Sequence, residues 1–302
     1  MNLSYENINH LAFDEPLEYK SLLLYPVTLP YYSIFASAEE CLDVSRLDEK
    51  DVRLLRLSYL DYLYEKSLID NVFKNKWNML ICILNIVLRE NQPFDILRQE
   101  GRVYIKVYQR SEDYELLNKK STIIKTNFLQ MHKNKEANEK ELEGVATQLT
   151  ELQEKMYNHV MIGAEDFDVI REMIMIQNDI KVQHYNEETE KLLYQMKRKL
   201  METRKSNNDV NLEDLITAVS YCKGIKQSEM KDMTIRRFNR YLNIITTKDD
   251  YYLYKQLELS GMIKMKSELP HWISHYKPKG KFDDILVDNE ELVSSLKNGG
   301  KI

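Results

Sequence analysis

Apolar residues recur at helical spacing along most of the chain. In residues 52–63 they fall three and four positions apart, which places them on one helical face, and residues 71–89 carry a longer stripe of the same kind. Caps and apolar periodicity predict further helices at residues 31–42, 167–177, 187–205, 212–223, 234–245 and 249–259. The pattern therefore predicts a mainly α protein.

Strand-like alternation is concentrated in one region. Val103, Ile105 and Val107 alternate with more polar or aromatic residues, and Gly101 precedes them at a suitable turn position. This pattern predicts a β-hairpin over residues 94–108, and residues 159–163 could add a third strand. The fold class expected from the sequence is therefore mainly α with a small sheet, that is, α+β.

A charged stretch at residues 121–158 interrupts this small sheet. Its apolar residues at 142, 145, 149, 152 and 156 are spaced three, four, three and four apart, which gives an a/d stripe over about two heptads. The stretch is predicted to be a long charged helical insertion that folds back on its own domain. An independent oligomerising coiled coil and a partly disordered arm remain alternatives.

Two breaks divide the chain into three predicted parts. Gln92 and Pro93 end a helical N-terminal unit at residues 1–91, and the polar run at residues 206–209 marks a second boundary. Residues 92–206 would hold the small sheet, the charged helical segment and further helices. Residues 207–302 would form a helical C-terminal domain with a flexible tail.

Composition argues against the loop-based classes of enzyme. The chain has 8 Gly and 6 Pro in 302 residues, and phosphate-binding loops and nucleophile elbows are built on glycine. The sequence contains no metal-ligand or nucleotide-binding motif of recognisable spacing. We therefore expect no catalysis, no cofactor and no metal, so that the protein would act by binding.

Charge and cysteine content indicate which partners and which cellular compartment to expect. The net charge of -5 gives no general basic field for nucleic acid, so nucleic acid is not the expected partner. Three widely separated cysteines suit a reducing cytoplasm. The most apolar stretch, residues 79–88, is too short to span a bilayer and predicts a buried helix, so no membrane is expected.

Aromatic residues supply the candidate partner-binding surfaces. The chain contains 20 Tyr, and tyrosine offers large contact area at low entropic cost. We expect helical faces around residues 59–64 and 251–254, together with the helix at residues 234–245, to contact protein partners. The aromatic candidates are Tyr59, Tyr62, Tyr251, Tyr254 and Trp272.

A basic cluster lies in a stretch with a helix–turn–helix appearance. Arg236, Arg237 and Arg240 lie beside aromatic residues within residues 224–245, a combination that can bind DNA. The simpler interpretation is a core stripe at positions 235, 238, 242 and 245, with the arginines on the solvent face. The arginines are accordingly candidates for contact with a partner, and a DNA-binding regulator is one alternative function.

Several stretches together resemble a known group of proteins. These are FDEPLEYKSLLLYPVTLPYY and LSYLDYLYE near the N-terminus, GAEDFDVIREMIMIQNDI at residues 163–180, and a stretch from LEDLITAVSYCKG to SELPHW at residues 212–272. They resemble proteins encoded in the structural and tail-morphogenesis gene clusters of tailed bacteriophages of Gram-positive bacteria, including tail assembly chaperones. Residues 133–156 lie outside this pattern.

The resemblance implies a role in virion morphogenesis without an active site. A tail assembly chaperone would shield hydrophobic helices of the tape-measure protein in the host bacterial cytoplasm until tail-tube subunits assemble around them. The alternative is a structural protein of the virion, in the baseplate or tail hub. The implied partners are the tape-measure, tail-tube or baseplate proteins, and a homo-oligomer stays an open alternative.

Overall fold

The computed structural model describes residues 5–133, 139–182, 187–203, 211–260 and 271–273. Of these described residues 63% are α-helical, and the strands form small antiparallel sheets, which confirms the predicted mainly α, α+β class. The α-helices of the described residues are α1 (Tyr5–Phe13), α2 (Tyr32–Phe35), α3 (Glu39–Leu42), α4 (Val52–Leu55), α5 (Tyr59–Ser67), α6 (Asn71–Leu88), α7 (Tyr114–Lys133), α8 (Glu139–Met156), α9 (Ala164–Gln177), α10 (Glu187–Thr203), α11 (Leu212–Lys223) and α12 (Ile235–Leu259).

The strands form two small sheets. β1 (Leu17–Tyr19) pairs with β2 (Leu22–Leu24), and the second sheet has the order β3 (Phe94–Gln99), β4 (Arg102–Arg110), β5 (Tyr157–Ile162). Both pairings in the second sheet are antiparallel. This confirms the predicted hairpin and its third strand. The turn between β3 and β4 uses positive φ at Glu100 and Gly101, and glycine adopts this conformation without steric cost.

The chain divides into two compact units that are discontinuous in sequence. Unit 1 comprises Met1–Leu17, Pro26–Asp51 and Arg171–Ile302, and unit 2 comprises Glu18–Tyr25 and Val52–Ile170. The three-part division expected from the sequence stays a prediction. Its proposed boundary at residues 206–209 lies outside the described residues.

Unit 2 is built on two helices and one face of the three-stranded sheet. The apolar stripe of α6 is buried together with the inward residues of β4, as the period of each element requires. The side chain of Gln92 joins β2 to the end of α6, because it accepts a hydrogen bond from Leu23 N and donates to the carbonyls of Leu23 and Leu88. The buried core includes Leu60, Leu63, Leu80, Ile83, Leu84, Val87, Val103, Ile105 and Val107.

Two caps set the starts of the N-terminal helices of unit 2. Asp70 accepts a hydrogen bond from Val72 N at 2.8 Å, so α6 begins where the sequence predicted. Ser58 accepts a hydrogen bond from Asp61 N, which starts α5 as a helix separate from α4. The continuous helix expected across residues 52–63 is therefore wrong, because α4 ends at Leu55 and a new helix begins after the Ser58 cap.

The charged insertion of unit 2 forms a helical hairpin. α7 and α8 pack against each other, and Ser121 and Met156 are buried within the hairpin. At its base Ser111 N donates to Met156 O, and the rings of Tyr114 and Tyr157 meet edge to face at 5.5 Å. These contacts confirm the predicted helical insertion that folds back on its own domain.

The N-terminal part of unit 1 is more broken than the sequence pattern indicates. The helix expected at residues 31–42 is a 3₁₀ turn (Leu29–Tyr31) followed by the separate short helices α2 and α3. Arg171 of α9 stabilises the end of α3 by donating from Nη1 to Leu42 O at 2.7 Å. Asn178, just after α9, accepts a hydrogen bond from Val27 N at 2.8 Å.

The C-terminal helices of unit 1 begin and end at the predicted signals, with one exception. Asn211 caps α11 through its side chain, and Gly224 ends it in the left-handed conformation with φ of 67°. α12 then runs without interruption to Leu259. The two separate helices expected at residues 234–245 and 249–259 are therefore wrong, because Asp249 and Asp250 are exposed residues within one helix and do not cap a second. Within the described residues no helix is both long and apolar enough to cross a membrane.

Candidate protein-interaction site

The site that we consider lies on α12 in unit 1, whose two halves have different surroundings. The first half packs into a small core with α11 and the 3₁₀ turn at Glu229–Asp232. The five buried members of this core are Leu29, Val219, Met230, Met233 and Phe238, and Tyr241, Leu242 and Ile245 pack at its edge. The predicted core stripe of this helix is therefore confirmed.

The start of α12 is joined to the N-terminal segment of the same unit. Ile235 N donates to Val27 O at 2.9 Å, and Leu29 N donates to Met233 O at 3.0 Å. Thr28 and Thr234 form an antiparallel bridge, while the ring of Tyr32 meets Phe238 edge to face. The first turn of this helix is consequently internal, although in a helix–turn–helix protein the recognition helix places its N-terminal residues in the DNA groove.

Acidic side chains of unit 1 engage the predicted basic face. Arg236 is largely buried, donates to Ile176 O at 2.8 Å and lies 3.8 Å from a carboxylate oxygen of Asp179. Arg237 pairs with Asp14 at 2.6 Å. The interpretation as a solvent face is therefore wrong for Arg236, because Asp179 and the carbonyl of Ile176 bury it, whereas Arg237 stays partly exposed beside Asp14.

Burial dominates the electrostatics of this cluster. It raises the pKa of Asp179 from 3.8 to about 6, while the neighbouring charges of Arg236 and Arg240 lower it less strongly. Burial likewise lowers the pKa of Arg236 below its ordinary value. Arg240 thus acts on Asp179 electrostatically, and Arg236 and Arg240 belong to the internal packing of unit 1 more than to a docking surface. Arg237 keeps 42% of its side chain exposed.

The second half of α12 presents apolar and aromatic side chains outward. The exposed fractions of Tyr252, Leu253 and Tyr254 lie between 44% and 54%, and that of Leu259 is 86%. Consecutive helical residues point about 100° apart, so three exposed neighbours mean that the helix is uncovered around most of its circumference. Monomeric proteins seldom leave such residues together on the surface unless they bind something.

An aromatic cluster flanks this exposed helix end. The ring of Tyr251 lies 5.4 Å from that of His271, which in turn lies 5.4 Å from the ring of Trp272. The ammonium group of Lys248 lies 5.9 Å from the ring of Trp272 and 6.0 Å from that of Tyr252, within cation–π range. We call Lys248, Tyr251, Tyr252, Leu253, Tyr254, His271 and Trp272 the α12 aromatic surface.

The structure brings some predicted site residues together and separates others. Tyr251, Tyr254 and Trp272 all belong to the α12 aromatic surface. By contrast, Tyr59 stacks on Phe167 and Tyr62 packs against Phe73, and both tyrosines are buried in the core of unit 2. Their assignment to a partner-binding face is wrong, because the face of α5 that carries them covers the core.

The sequence interpretation did not include Lys248, Leu253 or His271 among the partner-binding residues. A signal for Leu253 was available: the run Tyr-Tyr-Leu-Tyr at residues 251–254 cannot face a single core from a helix, because its members point in four directions. Lys248 and His271 carry no such signal. Their role depends on the return of the chain to α12 at residues 271–273.

Residues 203–277, which include α11, α12 and the aromatic cluster, match a known family model. The segment is similar to the YomV second domain. YomV second domains form a phage-associated family, so the match is compatible with a phage protein and supports the phage association predicted from the sequence. The YomV-like segment is about a quarter of the chain. No curated protein and no solved structure matches the chain.

Proposed function

We propose that this protein is a phage tail-assembly protein that acts by binding other tail proteins and not by catalysis. The observation that carries the proposal is the α12 aromatic surface, because it is an exposed apolar helix end inside the YomV-like segment. Aromatic side chains are enriched at protein interfaces and dominate their energetics. An exposed helical face of this type suits an extended or helical protein partner.

The partner that best fits this surface is an amphipathic helix of a tail protein. The tape-measure protein is the leading choice, since the resemblance of this chain to tail assembly chaperones implies it, and tail-tube or baseplate proteins are the others. The protein would then act in the host bacterial cytoplasm while tails are being built. Lys248, the charged member of the α12 aromatic surface, would favour a partner helix that carries acidic residues beside its apolar stripe.

A structural role in the mature virion is the second candidate. A baseplate or tail-hub subunit would use the same surface permanently and would remain in finished particles. The DNA-binding alternative has less support, because Arg236 and Arg237 are already paired with carboxylates of their own unit. We retain it only as an outcome of the experiment described in the Discussion.

The test is affinity capture from phage-infected or prophage-induced cells, with mass spectrometry of the bound proteins and of purified particles. The wild type should recover tape-measure or tail-tube protein, and its absence from particles would identify a chaperone. Its presence in particles would identify a structural component. Recovery of neither tail protein, together with absence from particles, would contradict the proposed function.

A matched pair of variants connects the outcome to the surface. The combined change Tyr252→Ser, Leu253→Ser and Tyr254→Ser should reduce recovery of the partner about tenfold or more, since central aromatic contacts contribute most to interface affinity. Tyr221→Ser is the control, because Tyr221 is also highly exposed but lies on α11 of the same segment. Equal loss in both variants would show that the surface is not the binding site.

A further inference from the structure

We infer that the α7–α8 hairpin of unit 2 is a self-association surface that pairs with the same hairpin of a second copy of this chain. This inference concerns a different unit from the α12 aromatic surface and does not rest on the proposed function. Its starting point is an open groove of about 350 Å³ between the two helices. Its lining includes the apolar residues Ile123, Ile124 and Leu152.

The hairpin leaves much apolar surface exposed when it stands alone. Ile123 is 60% exposed, and Leu116, one heptad earlier on the same face of α7, is 55% exposed. Along the seam, Ile124 and Leu152 are only half-buried. Two helices cannot enclose a seam from both sides, whereas four helices can bury these positions in a shared core.

The charges of the two helices identify the occupant as a second copy. α7 carries four Lys and one Glu, and α8 carries five Glu and two Lys, so the helices have opposite formal charges of +3 and -3. Residue i of one copy meets residue j of the other in a two-fold interface, and j meets i in return. A surface with both signs side by side can pair with itself, whereas a surface of one sign would repel its copy.

The groove itself is also lined by side chains of both charges. Glu151 lines it together with Lys120 and Lys155. In a two-fold arrangement with α7 of each copy against α8 of the other, Glu151 of one copy lies opposite a lysine of the second, and the exposed side chain of Ile123 enters the opposite groove. We take Lys120 as that lysine, because it lies between Leu116 and Ile123 on the exposed face of α7.

The first experiment measures the mass of the full-length chain in solution by sedimentation. At about 100 μM, where even an interface with a micromolar Kd is occupied, the wild type should sediment as a dimer of the 36.0 kDa chain. Ile123→Asp should sediment as a monomer with unchanged circular dichroism. A wild type that remains monomeric at this concentration would overturn the inference.

Charge reversal distinguishes pairing between chains from pairing within one chain. Lys120→Glu and Glu151→Lys should each weaken dimerisation about tenfold, because each places like charges opposite one another twice in the dimer. An equimolar mixture of the two variants should restore dimerisation, since both contacts of the mixed dimer then join opposite charges. A contact within one chain would remain broken in the mixture, so failure to restore the dimer would overturn the inference.

Two control variants test whether the dimer interface lies at the α7–α8 groove. Lys125→Glu makes the same charge change on α7 outside the groove and should leave the dimer unchanged. The α12 triple variant should also remain dimeric, because its changes lie in unit 1. If the α12 variant dissociates while Ile123→Asp stays dimeric, the chain self-associates through α12 and the inference is wrong.

Discussion

The carboxylate of Asp61 in α5 accepts a hydrogen bond from the backbone N–H of Val103 in β4 at 2.7 Å. The same side chain accepts a hydrogen bond from the hydroxyl of Ser58 at the start of α5. Asp61 is almost completely buried, so these partners replace water for a charged group. One side chain thereby joins the helical and the sheet parts of unit 2.

We expect Asp61→Ala to destabilise unit 2 by about 2 kcal/mol, because it leaves the buried N–H of Val103 without an acceptor. Hydrogen exchange at the Val103 amide should accelerate accordingly. Asp61→Asn keeps an acceptor and should cost less. Asp70→Ala, which removes the exposed cap of α6, should cost about 1 kcal/mol and leave Val103 protected. Undiminished protection of Val103 in Asp61→Ala would show that the bond is unimportant.

Asp179 should make the stability of unit 1 depend on pH. Because burial raises its pKa from 3.8 to about 6, the folded unit binds a proton more tightly than the unfolded chain. This group therefore stabilises the folded state increasingly as the pH falls from about 6 to about 4. The ionised carboxylate costs up to about 3 kcal/mol above that range.

The check is a comparison of the wild type with Asp179→Asn at pH 4.5 and pH 7. Asparagine suits the positive φ of 70° at this position and retains hydrogen-bonding capacity. The difference in unfolding free energy between the two pH values should shrink in the variant. Asp166→Asn is a control that should leave this difference unchanged, since the hydrogen bond from Lys20 lowers the pKa of Asp166 and its contribution is lost only as the pH falls below about 4. An unchanged pH profile in Asp179→Asn would contradict the assignment.

Arg236 should prove to be a structural residue of unit 1. We expect Arg236→Ala to cost about 3 kcal/mol, because it leaves the buried carboxylate of Asp179 without its ion-pair partner. Arg237→Ala should cost less than about 1 kcal/mol, since that pair is much more exposed. The measurement is the unfolding free energy of unit 1 in each variant. Trp272 lies in unit 1 and Trp77 in unit 2, so Trp272 fluorescence in a Trp77→Phe background reports the unfolding of unit 1 alone.

The same residues decide the DNA-binding alternative. The wild type should not shift a labelled DNA duplex at low salt, where electrostatic binding is strongest. If it does bind, and if binding is lost in Arg237→Glu while folding is retained, then the regulator interpretation replaces the proposed function. The stability of the Arg237→Glu variant must therefore be measured alongside its binding.

Two glycines should respond in opposite directions to alanine. Gly224 adopts a positive φ of 67° at the end of α11, so Gly224→Ala should cost about 1 kcal/mol even though no atom lies within 4 Å of the added Cβ. Gly144 lies within α8 with open space around it and without positive φ, so Gly144→Ala should stabilise by about 0.5–1 kcal/mol. Thermal unfolding of both variants provides the comparison, and a stabilising Gly224→Ala would contradict this account of the cap.

Local signals made much of the fold predictable. α6 has an aspartate cap and an apolar stripe, and the alternation of Val103, Ile105 and Val107 predicts β4. The uninterrupted course of α12 was harder to foresee, because Asp249 and Asp250 look like caps. The decisive fact is that residues 235–259 contain no glycine or proline to end the helix.

The candidate site was less predictable, because it depends on contacts between residues that lie far apart in sequence. Periodicity shows that Arg236 and Arg237 share the polar side of α12, but nothing local shows that Asp179 and Asp14 fold against them. Tyr59 and Tyr62 illustrate the converse case, since their amphipathic chemistry suits an interface or a core equally well. Tyr251, Tyr254 and Trp272 were identified by composition, and the structure places them in one surface.

The interleaved course of the two units has a consequence for synthesis on the ribosome. Unit 2 has all of its residues once Ile170 has been added, so it can fold while the C-terminal part of the chain is still being translated. Unit 1 must wait, because the carbonyl of Val27 and the N–H of Leu29 find their partners only when Ile235 and Met233 emerge. A nascent chain stopped before α11 would thus hold all of unit 2 together with an N-terminal segment in which the carbonyl of Val27 and the N–H of Leu29 still lack their partners.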